Sequence, residues 1–321
     1  MPTAQSPHLV VPFAACTGEA WLQAMKALPA GSLKNLSKLL QGMMLVETST
    51  GEALSLSTPH ERVLGKGLTA ADPVDGLIPW AALEAAGTHG PNSKAWAFIT
   101  PCHWAMGREH ATLTDPAALG LTADESRTLL AAMQPYFETE GITLHYAAPE
   151  RWLAEGELFR QLPTASLDRV LGRNVDTWLP GAKTAPSLRR LQNEMQMLLY
   201  THALNDERGI KRQLPVNSFW ISGTGALDKP APAPSHNITV PRNLAQAAFT
   251  DDWDAYAQAW LQLDSGDISK LLAQQNAGES VRLSLCGERN AQTFETSAQS
   301  FFSRISSLLS PQPPLAVLEQ L

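Results

Sequence analysis

Several things are scarce or missing from this chain, and each shortage removes a class of protein. Cysteine occurs only at Cys16, Cys102 and Cys286, an odd number spread far apart, which excludes a disulfide framework and a zinc knuckle and leaves three buried thiols. No apolar run approaches the roughly 18 to 20 residues a bilayer span needs. No basic start followed by an apolar segment opens the chain either. Neither anchor nor export signal is therefore expected, and the cytoplasm is the expected compartment. Basic blocks are missing too: net charge is -7 and no cluster of five or more cations occurs, which argues against a nucleic-acid partner. The richest basic stretch, Arg208, Lys211 and Arg212, stands beside Asp206 and Glu207 and reads first as a solvated turn. There is no P-loop, no dinucleotide glycine fingerprint, no H-E-x-x-H and no G-x-S-x-G, so nucleotide binding and the commonest hydrolase chemistries lose their support.

What is present suits one large or two ordinary domains in 321 residues. Nine tryptophans against four tyrosines point to several indole anchors in the core. His8 to Phe13 reads as a buried first strand, and Trp21, Met25 and Leu28 as one face of a helix. Ser32 is the expected cap of a second helix carrying Leu33, Leu36, Leu39 and Leu40. Thr58-Pro59-His60-Glu61 has the order of a helix start, and Trp80 to Ala86 continues as helix. From Trp96 to Leu153 the pattern gives strand, strand, helix, strand, with Thr122 and Glu125 as a capping box before Leu129, Leu130, Met133 and Phe137. Asp228 to Ser235 is proline-rich and reads as linker or lid. Trp253, Tyr256, Trp260 and Leu263 mark a helix and Val281 to Cys286 a strand, and Phe294, Ala298, Phe301, Ile305, Leu308 and Leu309 mark a last long helix.

The most informative stretch runs from Leu188 to Gly225. Leu188, Leu191, Met195, Leu198 and Leu199 form one apolar stripe, with Arg189, Arg190, Asn193 and Glu194 facing out. A charged turn follows, then a strand from Val216 to Ser222 and a glycine turn at Gly223-Thr224-Gly225, where backbone could approach a ligand. The best chemical cluster is His103, Arg108, Glu109 and His110: Arg offers a bidentate fork for phosphate or carboxylate, and His can shuttle protons. The alternative is a pair of half-buried histidines bonded to backbone.

Glu194, His202, Asn205, Arg208, Pro215, Asn217, Gly223 and Gly225 together resemble the middle of archaeal-type, cofactor-independent phosphoglycerate mutases, members of the alkaline phosphatase superfamily. The run L-Q-x-E-x-Q-M-L-L, with P-V-N-x-x-W and C-G-E-R, is similar still more closely to a proteobacterial family described as phosphoglycerate-mutase-like or as regulatory proteins of the RpfE type. The resemblance implies an α/β fold with an alkaline-phosphatase-like central sheet flanked by helices and an inserted α+β domain. Residues 1–90 and 226–321 are then the discontinuous core, and residues 91–225 the insertion. It implies two divalent metals and a Ser or Thr nucleophile, but this chain departs there. The first strand reads Val11-Pro12-Phe13, the nucleophile region Leu56-Ser57-Thr58-Pro59-His60, and the C-terminal metal motif Leu285-Cys286-Gly287-Glu288-Arg289. No metal and no cofactor are therefore expected.

The expected function is a metal-free, non-catalytic relative that binds a small phosphorylated or acidic molecule, or a protein partner, in a regulatory role. The ligand residues implied are His103, Arg108, His110, Asn205, Arg208, Asn217, Gly223 and Gly225. Two alternatives stand beside it. One is an active mutase or phosphohydrolase with replaced metal ligands, and the other is a structural partner-binding protein with the proline-rich segment and the helix around Trp253 and Trp260 as its contact surface. For single residues the plain alternative is that Asn205 and Arg208 tie the turn to the following strand and Asn217 satisfies a buried backbone group.

Overall fold

Val10 and Val11 are fully buried on opposite faces of the first strand, because it lies inside a sheet with parallel neighbours. The computed structural model describes residues 6–66, 68, 74–90, 93–181, 185–227, 229, 236–296 and 313–321. Its strands are β1 (Ser6–Val11), β2 (Met43–Ser49), β3 (Ala95–Cys102), β4 (Trp104–Met106), β5 (Ala111–Leu113), β6 (Thr143–Ala148), β7 (Arg151–Glu155), β8 (Ser218–Ala226), β9 (His236–Thr239), β10 (Arg282–Cys286) and β11 (Ala291–Thr296). The fold is mixed α/β, with sheets flanked by helices.

The chain divides into two units, one of Met1–Ala53, Pro59–Leu64 and Ala233–Leu321, the other of Leu54–Thr58 and Gly65–Pro232. Where the sequence suggested a crossing at residue 90, the division falls at 53–65. The helix Trp80–His89 packs on β3 and β8 through Ala81, Ala82 and Ala85, so it belongs to the second unit.

The first unit holds a five-stranded sheet in the order β2-β11-β10-β1-β9. β1 runs parallel to β9 and β10, while β11 is antiparallel to β10 and β2. Leu9, Val11, Leu283, Leu285 and Phe294 meet Trp21, Met25, Leu36, Leu39, Tyr256 and Trp260 from the flanking helices in one core. The indole of Trp21 donates to the Tyr256 hydroxyl at 3.2 Å, and that hydroxyl donates to the Phe13 carbonyl at 2.7 Å, so these two buried groups are satisfied. Phe294 lies in β11, so the last helix expected from residue 294 does not begin there; residues 297–312 lie outside the described residues, as does the proline-rich stretch apart from Lys229.

One cap comes from a distant place. The helix Lys34–Gln41 has no capping side chain of its own, and the Ser32 hydroxyl donates instead to the Pro29 carbonyl. The buried Asp264 carboxylate accepts from Leu36 N–H at 2.8 Å and Asn35 N–H at 3.3 Å, reaching across from a π turn at Asp264–Ile268. Burial pushes this carboxyl up, against the pull of those N–H donors. Asp264→Ala should cost about 1–2 kcal/mol, the usual worth of a cap, read as a lower urea midpoint with an unchanged slope.

The second unit holds a four-stranded antiparallel sheet in the order β6-β7-β3-β8 and a β4-β5 hairpin. Side chains alternate along β3: Ala97 and Ile99 face the helices Ala123–Thr139 and Pro186–Tyr200, while Trp96 and Phe98 face Trp80–His89. The stripe Leu188, Leu191, Met195 and Leu199 is buried as its spacing predicts, and the Thr122/Glu125 capping box forms. Gln192, on the same helix, is buried as well and donates to the Ser218 hydroxyl and the Phe219 carbonyl of β8. Among the described residues no helix is long and apolar enough to cross a membrane.

Candidate functional site

Four of the sequence-read residues gather on one short piece of chain, Leu214 to Asn217. His103 donates from Nδ1 to the Pro215 carbonyl at 2.9 Å. Asn205 donates to the Leu199 and Val216 carbonyls, both at 2.8 Å, and accepts from Val216 N–H at 2.9 Å. Asn217 continues the sheet with its side chain, accepting from Trp104 N–H at 2.7 Å and donating to the Trp104 carbonyl at 3.0 Å. These amides do for the turn what a paired strand does elsewhere, saturating backbone groups that are shielded from water.

Arg208 is fully buried and has three partners. Nε donates to the Leu214 carbonyl at 2.9 Å, one terminal nitrogen to the Leu119 carbonyl, and the other lies 3.1 Å from Glu125. Burial raises the Glu125 carboxyl. Hydrogen bonds from Thr122 and the charge of Arg208 outweigh it and hold the group below its ordinary value. Arg108, Glu109 and His110 are exposed on the turn between β4 and β5, where Gly107 N–H donates to the His110 carbonyl at 2.9 Å.

Gly223 and Gly225 do not form a turn; they lie within β8, beside the register shift opposite Trp96 and Phe98. Their φ angles are 61° and 139°. A Cβ on Gly223 would stand 2.8 Å from the Phe98 ring and 3.2 Å from Trp80 Cβ, and one on Gly225 3.0 Å from Pro79 Cβ. The close approach they permit is that of the helix Trp80–His89. Between them, the Thr224 hydroxyl donates to the Leu162 carbonyl at 2.6 Å.

In the stretch that resembles the nucleophile region, one residue from the aligned Leu56, the buried Ser57 hydroxyl accepts from Gly76 N–H at 2.8 Å. Asp75 accepts from Leu56 and Ser57 N–H, both at 2.8 Å. The guanidinium of Arg169 donates to the Ser57 carbonyl at 3.1 Å.

In the first unit, the parallel strands β9, β1 and β10 end on one edge, the place where open α/β sheets receive ligands. Residues 12–17 and 286–289 converge there. Ala14 N–H donates to the Cys286 carbonyl at 2.7 Å, and Thr17 donates from both its N–H and its hydroxyl to the Glu288 carboxylate. Phe13, at φ 52°, packs edge-on against Phe249 at 4.9 Å and 6.1 Å from the buried His60 ring, and Arg242 lies 5.9 Å over Phe249. Arg289 is exposed, its carbonyl held by Arg62 at 2.6 Å.

This edge does not fit a pair of divalent cations. Its carboxylate is engaged by Thr17, and burial pushes the Cys286 thiol far above its usual range, away from the thiolate a metal takes. Among the described residues no three His, Cys, Asp or Glu side chains gather as a metal shell requires. Arg242 and Phe249 were not found from sequence, because β9 is a four-residue strand, His-Asn-Ile-Thr, with little apolar pattern to announce it.

No family model matches the chain. A stretch of 126 residues, 39% of this chain, is 24% identical to the 2,3-bisphosphoglycerate-independent phosphoglycerate mutase of Methanosarcina barkeri (strain Fusaro / DSM 804). That stretch spans 32% of the relative's length, so the sequence similarity is distant and partial. Among solved structures, the cofactor-independent phosphoglycerate mutase from Thermoplasma acidophilum DSM 1728 aligns over 98% of this chain and 99% of that one at 13% identity, with a TM-score of 0.37. The PH0037 protein from Pyrococcus horikoshii aligns over 92% and 88% at 9% identity, with a TM-score of 0.45.

Proposed function

We propose that this chain is a metal-free, non-catalytic relative of the cofactor-independent phosphoglycerate mutases, built on an alkaline-phosphatase-like scaffold and of the proteobacterial regulatory, RpfE-like kind, that binds a small phosphorylated or acidic molecule. The observation that carries this reading is the chemistry of the β9-β1-β10 edge. Its loops carry Arg242, 5.9 Å over Phe249 of an aromatic pair, and the exposed Arg289, and its carboxylate Glu288 is turned to Thr17. Arg forks suit phosphate and carboxylate oxygens without a metal between. Arg108 and His110, exposed on the β4-β5 turn, are the second place where such an anion could be held.

Calorimetry and thermal shift with 3-phosphoglycerate, related sugar phosphates and inorganic phosphate test the reading. Saturable heat and a rise in melting temperature are expected. Arg242→Ala should weaken binding about tenfold or more, as losing a charge-assisted hydrogen bond does, while Arg108→Ala leaves it unchanged. The reverse pattern moves the site to the β4-β5 turn, and no heat with any of these anions removes the proposal. Turnover of 3-phosphoglycerate in the presence of manganese or zinc would overturn the non-catalytic half.

A further inference from the structure

The last turn of the helix Trp80–His89 ends in a cluster of three rings. His89 lies 5.4 Å from Trp96 with the planes only 23° apart, and His145 of β6 lies 4.7 Å from His89 and 5.5 Å from Trp96. Trp96 is buried at the base of the core that Ala81, Ala82 and Ala85 form under the helix, so the imidazoles sit where the end of the helix meets the sheet. His145 Nε2 is buried and has no hydrogen-bond partner among the described residues.

Every element packed here contributes a titratable or charged group. The helix carries Glu84, paired with Arg151 of β7 at 3.4 Å. Lys94, ahead of β3, pairs with Glu155 of β7 at 2.6 Å. Next to His145 on β6, Tyr146 has Arg127 stacked 3.7 Å over its ring. The nearby carboxylates thus already have cationic partners. Two imidazoles are too few for a metal: among the described residues no third His, Cys, Asp or Glu joins them.

We propose that His145, packed against His89, forms an acid-sensitive latch, which holds the end of the helix Trp80–His89 on Trp96 while the His145 ring is neutral and frees it when that ring takes up a proton. His89 stacks on the indole, and the neutral His145 ring packs tilted against both. A proton on His145 places a charge among these rings with its Nε2 shut away from water. Burial, with the neighbouring His89, depresses the His145 ring below its ordinary value. For a base depressed in the folded state, the unfolded chain takes up its proton first as the pH falls. The latch therefore contributes in full above about pH 6.5, the unfolded value, and its contribution is lost below that, as the pH falls toward the folded value.

Hydrogen exchange of the backbone amides of residues 84–90 in the full chain tests this, with rates corrected for intrinsic pH dependence. Between pH 7.5 and 5.5 the wild type should lose protection severalfold. His145→Gln and His89→Gln each keep a neutral side chain and should hold protection at the two pH values within about twofold. Where His145→Gln melts early at pH 7.5, His89→Gln, on an exposed ring at the helix end, carries the comparison. A wild type without acid loss, or His89→Gln retaining the full loss, overturns the latch.

Discussion

Replacing Arg208 with Ala lowers the stability of the second unit by about 3–5 kcal/mol, the cost of breaking a buried ion pair from one side, and shifts its melting temperature by on the order of 10 °C. The argument is in its partners. The side chain is completely buried, serves two backbone carbonyls, and neutralises Glu125, which also caps the helix Ala123–Thr139. Alanine leaves all three acceptors behind, and they keep their desolvation cost without a donor. Arg208→Lys recovers little, since one ammonium cannot reproduce a fork aimed at three places. The same pair gives a pH signature. Glu125 is held below its ordinary value, so its contribution is present above the unfolded carboxyl value near pH 4.3 and is lost as the pH falls through the folded one; Arg208→Ala flattens that acid limb. Urea denaturation between pH 3 and 7 measures both. An unchanged melting temperature with lost phosphate binding would instead make Arg208 a ligand contact.

Gly223→Ala is the second large effect, about 2–4 kcal/mol, from a left-handed backbone and an overpacked neighbour acting together. At φ 61° a side chain is strained whatever the space, and here the space is filled: the added carbon would stand 2.8 Å from the Phe98 ring and 3.2 Å from Trp80 Cβ. Neither neighbour yields easily, since Phe98 leans on the helix Trp80–His89 and Trp80 begins it. A lower urea midpoint with intact ligand binding is expected. If the variant keeps its midpoint and loses binding, the glycine leaves room for a ligand rather than for the helix.

Much of the architecture was legible because local pattern and burial agree. The stripe from Leu188 to Leu199, the Thr122/Glu125 box, the apolar run of β1 and the three buried thiols need only neighbours in sequence to be read. What escaped depends on distant partners. Ser32 looks like a cap, but Asp264, far along the chain, does the capping. Gly223 and Gly225 look like a turn because a bulged strand under a helix calls for the same residues as a chain reversal. Of the candidate residues, His103, Asn205, Arg208 and Asn217 converge on residues 214–217, whereas Arg108 and His110 stand on the β4-β5 turn and Gly223 and Gly225 within β8. What sequence could not tell is which acceptors occupy them, since an amide or guanidinium suited to a phosphate is equally suited to a bare carbonyl.

The position of β1 has a consequence for how the protein is made. Its neighbours on both sides, β9 and β10, come after residue 232 in the sequence, and residues 65–232 of the second unit are translated before them. At a synthesis rate of about 5–20 residues per second, β1 leaves the ribosome on the order of ten seconds or more before either neighbour exists. During that interval its apolar faces and both hydrogen-bonding edges are open to chaperones or to other nascent chains. A message truncated ahead of β10 yields the second unit whole and strands β1 beside an incomplete sheet, so premature termination produces an aggregating fragment rather than a smaller working protein.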